Sequence, residues 1–338
     1  MNTLKFLLSI ASVLLLTCCA SNTDPEGSKY IGLTASVGQM SVTAKAASSA
    51  IPFDNITSST PLEAKVLFSQ VRNAYPYVEN PLAPTFIPCH TTVTYTGAGF
   101  VFVEYAKGNT LNNLTYPTTQ ANTEVYCTGL YPCDSEWTIS TDGTSAEREI
   151  DGTTDIMFAD IISGSWRNPF TVQNYKHLQS WIKVLVSANT NDAADKWGKV
   201  TKVTVKSEPT IQISFGNKQD GSSTIGYPGA TPKDIVIYES ATAQEGHQLS
   251  ITTAELGSAF LVSPQATVKL TVYTTIFTEG RNVDVVLYDV ATNQKITDRV
   301  HTIGNLYVLN LNFTNLDVIE GVCTLNYWND QDDDLYLE

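Results

Sequence analysis

Four cysteines lie in the body of the chain, Cys89, Cys127, Cys133 and Cys323, and four histidines, His90, His177, His247 and His301, are scattered through it. Nucleophilic catalysis needs a thiol or hydroxyl held against an imidazole that a third group orients, and no G-x-S-x-G elbow or comparable motif is present. Zinc needs closely spaced Cys or His pairs, and the spacing is wrong for it. The acidic run Asp330, Asp332, Asp333 and Asp334 lacks the glycine-bearing loop that arranges about six to eight oxygens around calcium. It reads as a solvated end. A pair of catalytic carboxylates could hide among 34 acids, but no paired motif marks one. The expectation is a chain with no enzyme activity, no catalytic residue, no metal and no cofactor. His177 stands just before an alternating strand, and its reading is a junction hydrogen bond rather than a catalytic base.

The remaining chemistry belongs to thiols. An even number of cysteines in an exported chain permits disulfides, and Cys127 and Cys133 flank a Gly-Leu-Tyr-Pro turn where they could close a small loop. At the N-terminus, Lys5 precedes an apolar stretch from Phe6 to Leu16 that runs into Leu15-Leu16-Thr17-Cys18-Cys19-Ala20. That stretch is shorter than the ~20 residues a spanning helix requires, so it reads as a signal peptide. Its ending resembles a bacterial lipobox, whose cysteine is joined to diacylglycerol after cleavage. Cys19, with Cys18 as the small preceding residue, fits best; Cys18 after Thr17 is the alternative. Residues 1–18 are then the signal peptide and 19–30 a lipidated tether, because Ser21 to Lys29 is polar, carries Pro and Gly and has no apolar period.

Charge narrows the partners. The 338 residues carry a formal net charge of −14, and a nucleic-acid partner needs a basic face to displace counterions from phosphate. The same acidity opposes attachment to an anionic lipid surface by charge alone. A covalent lipid would hold such a chain at a membrane without that help. Hydrophobic content of 42% is ordinary, whereas charged content of 16% is low. The surface is therefore furnished by Thr, Asn, Ser and Gln, as in exported β-proteins.

The elements that must position these groups read as strands. Expected are Gly32 to Ser36, Gln39 to Thr43, Leu62 to Ser69, Thr91 to Tyr95, Phe100 to Tyr105 and Thr123 to Leu130, with apolar and polar residues alternating. Pro76, Pro81, Pro84 and Pro88 interrupt the long connection between the third and fourth. Asp151-Gly152 offers an Asx side chain and a φ > 0 residue for a turn. Asn174 to Val186 reads as one half-buried strand, with Leu178, Ile182, Val184 and Val186 on one face and Gln179 and Lys183 on the other. Further alternation at Val203 to Val205, Val268 to Val272 and Tyr307 to Phe313 repeats the pattern. One short helix is expected over Asp192 to Trp197, ending at Gly198. A length near two domains of roughly 150 residues divides into an N-terminal β-sandwich over 31–166 and a C-terminal one over 167–338.

Five pieces in order resemble one family. They are P-L-E-A-K-V-L-F-S at Pro61 to Ser69, the junction G-L-Y-P, W, I-D-G-T-T-D-I-M-F-A and Y-K-H-L, then K-W-G-K-V-T-K-V-T-V at Lys196 to Val205, L-Y-V-L-N-L-N-F at Leu306 to Phe313, and V-C-T-L-N-Y-W at Val322 to Trp328. In this order the chain is similar, from about Ile31 to its end, to the fimbrillin-type (type V) pilin lipoproteins of anaerobic gut and oral bacteria. The resemblance implies an all-β fold of two tandem antiparallel β-sandwich domains, transthyretin-like with Greek-key connections, behind a lipoprotein signal peptide. It also implies an outer-membrane lipoprotein at the cell surface, a structural or accessory (tip or anchor) subunit of a fimbria that serves adhesion. Its partners would be other fimbrial subunits or copies of itself, joined by β-strand exchange, and a host or bacterial surface ligand. In that family an N-terminal strand is removed by an Arg- or Lys-specific protease and a neighbour's C-terminal segment fills the groove. Here the removed piece would be the strands near Gly32 to Thr43, and the donor would lie in Val322 to Leu337. No Arg precedes Arg72, so an early cut would follow Lys45 or not occur, which leaves shaft, tip and base roles open. The alternative is an outer-membrane glycan-binding lipoprotein that uses some of its 16 Tyr and 5 Trp as an aromatic platform on a β-sandwich.

Overall fold

The structure, a computed structural model, describes residues 30–37, 56–77, 87–97, 99–107, 110–117, 122–229, 231–242, 245–289, 294–299, 302–316 and 318–326. Cys18, Cys19 and Lys45, the strand expected at Gln39 to Thr43, His301 and the acidic run from Asp330 to Asp334 lie outside the described residues. Among the described residues no helix is long and apolar enough to cross a membrane.

In chain order the strands are β1 (Gly32–Val37), β2 (Leu62–Ser69), β3 (Cys89–Tyr95), β4 (Val101–Phe102), β5 (Glu104–Lys107), β6 (Thr110–Asn113), β7 (Val125–Tyr131), β8 (Thr138–Ile139), β9 (Ser145–Glu149), β10 (Met157–Gly164) and β11 (Val172–His177). There follow β12 (Ser180–Ala188), α1 (Asn191–Trp197), β13 (Lys199–Ser207), β14 (Thr210–Ser214), β15 (Thr224–Gly226), β16 (Lys233–Glu239), β17 (His247–Gln248), β18 (Ala254–Glu255), β19 (Phe260–Val262) and β20 (Thr267–Thr274). The last are β21 (Arg281–Val286), β22 (Tyr288–Asp289), β23 (Gln294–Lys295), β24 (Leu306–Phe313) and β25 (Ile319–Asn326). The protein is all-β.

A seven-stranded sheet in the order β3-β2-β7-β10-β11-β1-β4 takes most of the N-terminal strands. Period-two alternation gives it two dry faces. Ala64, Val66 and Phe68 of β2 join Val93 and Tyr95 of β3 and Met157 of β10 in one core. Leu67, Leu130 and Phe158 point the other way, into a core shared with Trp137, Ile211 and Ile213. That second face is covered by a four-stranded sheet, β15-β14-β9-β8, in which β9 pairs with β14 from Thr210↔Glu149 to Ser214↔Ser145. Strands on both sides of the expected boundary at 166/167 thus share these layers: β11 lies in the seven-stranded sheet, and β14 beside β9.

The C-terminal sandwich packs β18-β12-β24-β25, with β19 on β12, against β16-β13-β20-β21, with β17 on β13. Between them Ile182, Val184 and Val186 meet Val203, Val205, Leu270, Val272, Leu309 and Leu311. The short helix forms where expected. Thr190 caps it, its Oγ1 accepting from the Ala193 N–H at 3.1 Å, and Gly198 closes it at φ 71°, a conformation that glycine adopts without a Cβ penalty. Trp197 is fully buried against Phe277 and Phe313, and its Nε1 donates to the Thr314 carbonyl at 2.8 Å.

Three expectations are corrected. The stretch from Phe100 to Tyr105 is two short strands, β4 in the seven-stranded sheet and β5 paired with β6. The stretch from Asn174 to Val186 is two strands in different sheets, not one. Leu178 and Gln179, both buried, form the crossing: Leu178 N–H donates to the Ile156 carbonyl (2.9 Å), the Gln179 side chain accepts from Ile156 N–H (2.9 Å), and Gly304 N–H donates to the Gln179 carbonyl (2.8 Å). These bonds satisfy the backbone where it leaves one ladder for the next, so the alternation runs on through the break. The sheets are also not wholly antiparallel, because β1 pairs parallel with β11 and β24 parallel with β12. Alternation records which face is dry, and a parallel partner dries it as well as an antiparallel one does.

Candidate functional site

The element with the most to say about function is β1. Ile31 and Leu33 are fully buried, and Ala35 and Val37 pack partly against the same core. One side of the strand runs parallel to β11, with Thr34↔Val172, Ala35↔Gln173, Ser36↔Asn174 and Val37↔Tyr175. Among the described residues the other side pairs with the two residues of β4, Gly32↔Phe102 and Leu33↔Val101. Ile31 extends the ladder, its N–H donating to the Leu114 carbonyl (2.8 Å) and its carbonyl accepting from Val103 N–H (2.9 Å). A strand near the N-terminus is thus threaded between a partner over a hundred residues away in sequence and a short edge. Burying Ile31 and Leu33 is worth roughly 1.5–3 kcal/mol each.

Under β1 lies a buried polar group that sequence reasoning missed. Gln173, opposite Ala35, accepts from the Tyr95 hydroxyl at 2.6 Å and the Tyr175 hydroxyl at 3.3 Å, and its amide donates to the Cys127 thiol at 3.2 Å. All four residues are buried. Gly129 makes room: a Cβ there would stand 2.1 Å from the Tyr175 hydroxyl. The faint signal was a glutamine on the dry phase of β11, between Tyr175 and the apolar positions of its neighbours.

At the other end of the chain β25 pairs antiparallel with β24 along its whole length, from Leu306↔Asn326 to Phe313↔Ile319, and among the described residues β24 is its one ladder partner. Val322 is exposed, whereas Cys323 packs partly against the C-terminal core. Gly321 lets the strand lie close on β21, since a Cβ there would meet a Val285 methyl at 2.5 Å. Of the expected donor segment, Val322 to Asn326 belongs to this edge strand, and residues 327–338 lie outside the described residues.

No family model matches the chain, and no curated protein matches it in sequence. Solved structures do. A candidate cell adhesion protein of Bacteroides ovatus is 17% identical, with 90% of this chain and 99% of that one covered and a TM-score of 0.49. A second, from Bacteroides uniformis, is 15% identical over 89% and 98% of the two chains, with a TM-score of 0.47. The fimbrial anchor protein Mfa2 of Porphyromonas gingivalis is 9% identical over 88% and 98%, with a TM-score of 0.45.

The other residues singled out in the sequence are distributed through the fold. His177 ends β11, its Nδ1 2.9 Å from the Asp155 Oδ1, and both side chains are buried. The pair sits at the crossing between sheets, beside the Leu178 and Gln179 bonds, and closes a junction rather than facing a cleft. Cys127 and Cys133 are both free thiols, as are Cys89 and Cys323, so the small loop expected between the first two is not closed. The reason is placement: Cys127 is turned into the core on β7 against Gln173, whereas Cys133, past the turn, faces the Glu63 carboxylate at 4.0 Å. His90 donates through Nε2 to the Tyr75 carbonyl at 2.6 Å, and His247 lies on β17. Among the described residues no cluster of three or more His, Cys, Asp or Glu could hold a metal.

Proposed function

We propose that the chain is a fimbrillin-like cell-surface lipoprotein, a structural or accessory (tip or anchor) subunit of a fimbria that assembles by β-strand exchange and serves adhesion. The observation that carries the reading is the seating of β1, a terminal strand with Ile31 and Leu33 fully buried whose departure would leave an apolar groove beside β11. An open sheet edge of that kind accepts an extended segment through main-chain hydrogen bonds, and alternate apolar side chains set its register. The incoming segment would come from a neighbour's C-terminal region. The sequence resemblance adds the lipid on Cys19 (or Cys18), the processing site at Lys45 and the outer-membrane location, with the 1–18 leader removed.

The test is N-terminal mass mapping of protein sheared from the cell surface, combined with a lipid label. A lipid-free form beginning at Ala46 supports a shaft subunit, and an intact lipidated form supports an anchor or tip. A cytoplasmic protein that keeps Met1 to Ala20 and carries no lipid overturns the reading.

A further inference from the structure

A pocket of about 400 Å³ opens beside β3 at the end of the seven-stranded sheet. Its floor is the outer border of the seven-stranded sheet. Lys65 of β2 stands directly opposite Thr92 of β3, with His90 two residues along the same face. Trp137 and Ile139, beside and on β8 of the covering sheet, form one wall, and Tyr77 forms another. The pocket exists because β3 and β8 are both end strands of their sheets, so the two layers meet there without sealing.

The chemistry of the lining is specific. Lys65 is half-buried and no carboxylate among the described residues lies within salt-bridge distance of it, although the chain as a whole is strongly acidic. Burial pushes its pKa down, with the Asp134 charge acting in the opposite sense. A cation partly stripped of water and left without a counter-ion is a site awaiting an anion. Around it the walls are aromatic. Tyr77 is 66% exposed, and its ring lies 5.5 Å from that of His90, which holds it in place. The Trp137 indole is anchored by its Nε1 donating to the Pro132 carbonyl at 2.9 Å and by the Arg148 guanidinium 5.7 Å from its ring. With the His90 Nε2 committed to the Tyr75 carbonyl, its other ring nitrogen, the Thr92 hydroxyl and the Tyr77 hydroxyl supply a small set of polar groups on an aromatic background.

A ligand that matches has a carboxylate, an apolar face to lie on a ring and several hydroxyls. We propose that this pocket binds an acidic saccharide unit, a uronic or sialic acid, with Lys65 taking the carboxylate and Tyr77 lying against the sugar ring. The volume falls near the small end of the ~300–1,000 Å³ usual for ligand pockets, which suits one or two sugar units. The site is independent of strand exchange, since none of its residues belongs to β1 or β25.

Calorimetric or NMR titration of the full chain with methyl glucuronoside and N-acetylneuraminic acid, against methyl glucoside and acetate as controls, tests it. An acidic sugar is expected to bind and the controls are not. Lys65→Met, which keeps most of the aliphatic stem, should weaken the acidic sugar about tenfold or more, and Tyr77→Ala, at an exposed position, should weaken it with an unchanged melting temperature. Absence of binding by either acidic sugar overturns the proposal. So does binding that survives both substitutions, or acetate that binds as tightly as the sugars, which would make Lys65 a simple anion site. Tyr77→Ala keeps the test decisive should Lys65→Met fail to fold.

Discussion

Buried single residues make the sharpest statements. Burial pushes the Cys89 and Cys323 thiols up to about 12 and the Cys127 thiol well above its ordinary value. Because the thiolate is the reactive form, native protein at pH 8 should leave these three unlabelled by iodoacetamide and react first at the half-exposed Cys133; peptide mass mapping before and after unfolding checks this. A disulfide between Cys127 and Cys133 would remove both from the unfolded sample and refute the free-thiol assignment. Asp134 gives a pH prediction. Hydrogen bonds from the Arg148 guanidinium hold its carboxyl below the usual range, one through Nη2 at 2.8 Å and one through Nη1. A depressed carboxylate contributes stability that is present above the unfolded value of about 3.9 and is lost as pH falls through the folded one. Asp134 is partly exposed while Arg148 is buried, so Asp134→Asn should cost about 1–2 kcal/mol at pH 7. In urea titrations the gap from wild type should stay level down to about pH 4 and shrink below it. Neither the Asp134 and Arg148 pair nor the pocket lined by Lys65 and Tyr77 was legible in the sequence, because each gathers residues that only the pairing of strands and the packing of layers brings together. The junction hydrogen bond of His177 was legible from its place at the junction, where a buried polar side chain must find a partner.

At the scale of elements, alternation was a good guide to where strands lie and a poor one to what they pair with. The expected Leu62 to Ser69 is β2 to the residue, and Thr91 to Tyr95 sits inside β3. The helix expected over Asp192 to Trp197, ending at Gly198, is α1, which starts one residue earlier behind a Thr190 cap that sequence reasoning missed. The strands β15, β18 and β19 escaped notice, being two or three residues long and so too short to show a period. The crossing at Leu178 and Gln179 escaped for the opposite reason, a period that continues through the break. For β1 the consequence is energetic. Leu33 is fully buried in a sheet position, and Leu33→Ala should destabilise the protein by about 3 kcal/mol. Ser36, exposed on the same strand, should tolerate Ala within about 0.5 kcal/mol. Equal effects of the two in chemical denaturation would mean that β1 is not seated in the core.

For the molecule as a whole, the seating of β1 separates cutting from release. Cleavage after Lys45 would break the covalent link between β1 and the rest of the fold but none of the ladder bonds to β11, β4 and Leu114. Two fully buried side chains at roughly 1.5–3 kcal/mol each would still hold the strand, and the loss of the tether lowers only its effective concentration. A nicked strand of this kind stays in its groove until a competitor takes the same hydrogen bonds. The competitor must be small where Ala35 faces Gln173, because that glutamine is already engaged with Tyr95, Tyr175 and Cys127 and yields no space. The prediction follows for protein digested with a Lys-specific protease and passed through size exclusion: the fragment bearing Gly32 to Val37 should co-elute with the body of the chain. Adding a peptide of residues 319–338 should displace it and convert the body to a peptide-bound form, whereas the uncut chain should bind none. Spontaneous loss of the fragment on cutting would show that the groove is held open by its own walls, and failure of every C-terminal peptide to enter it would count against strand exchange through a C-terminal donor.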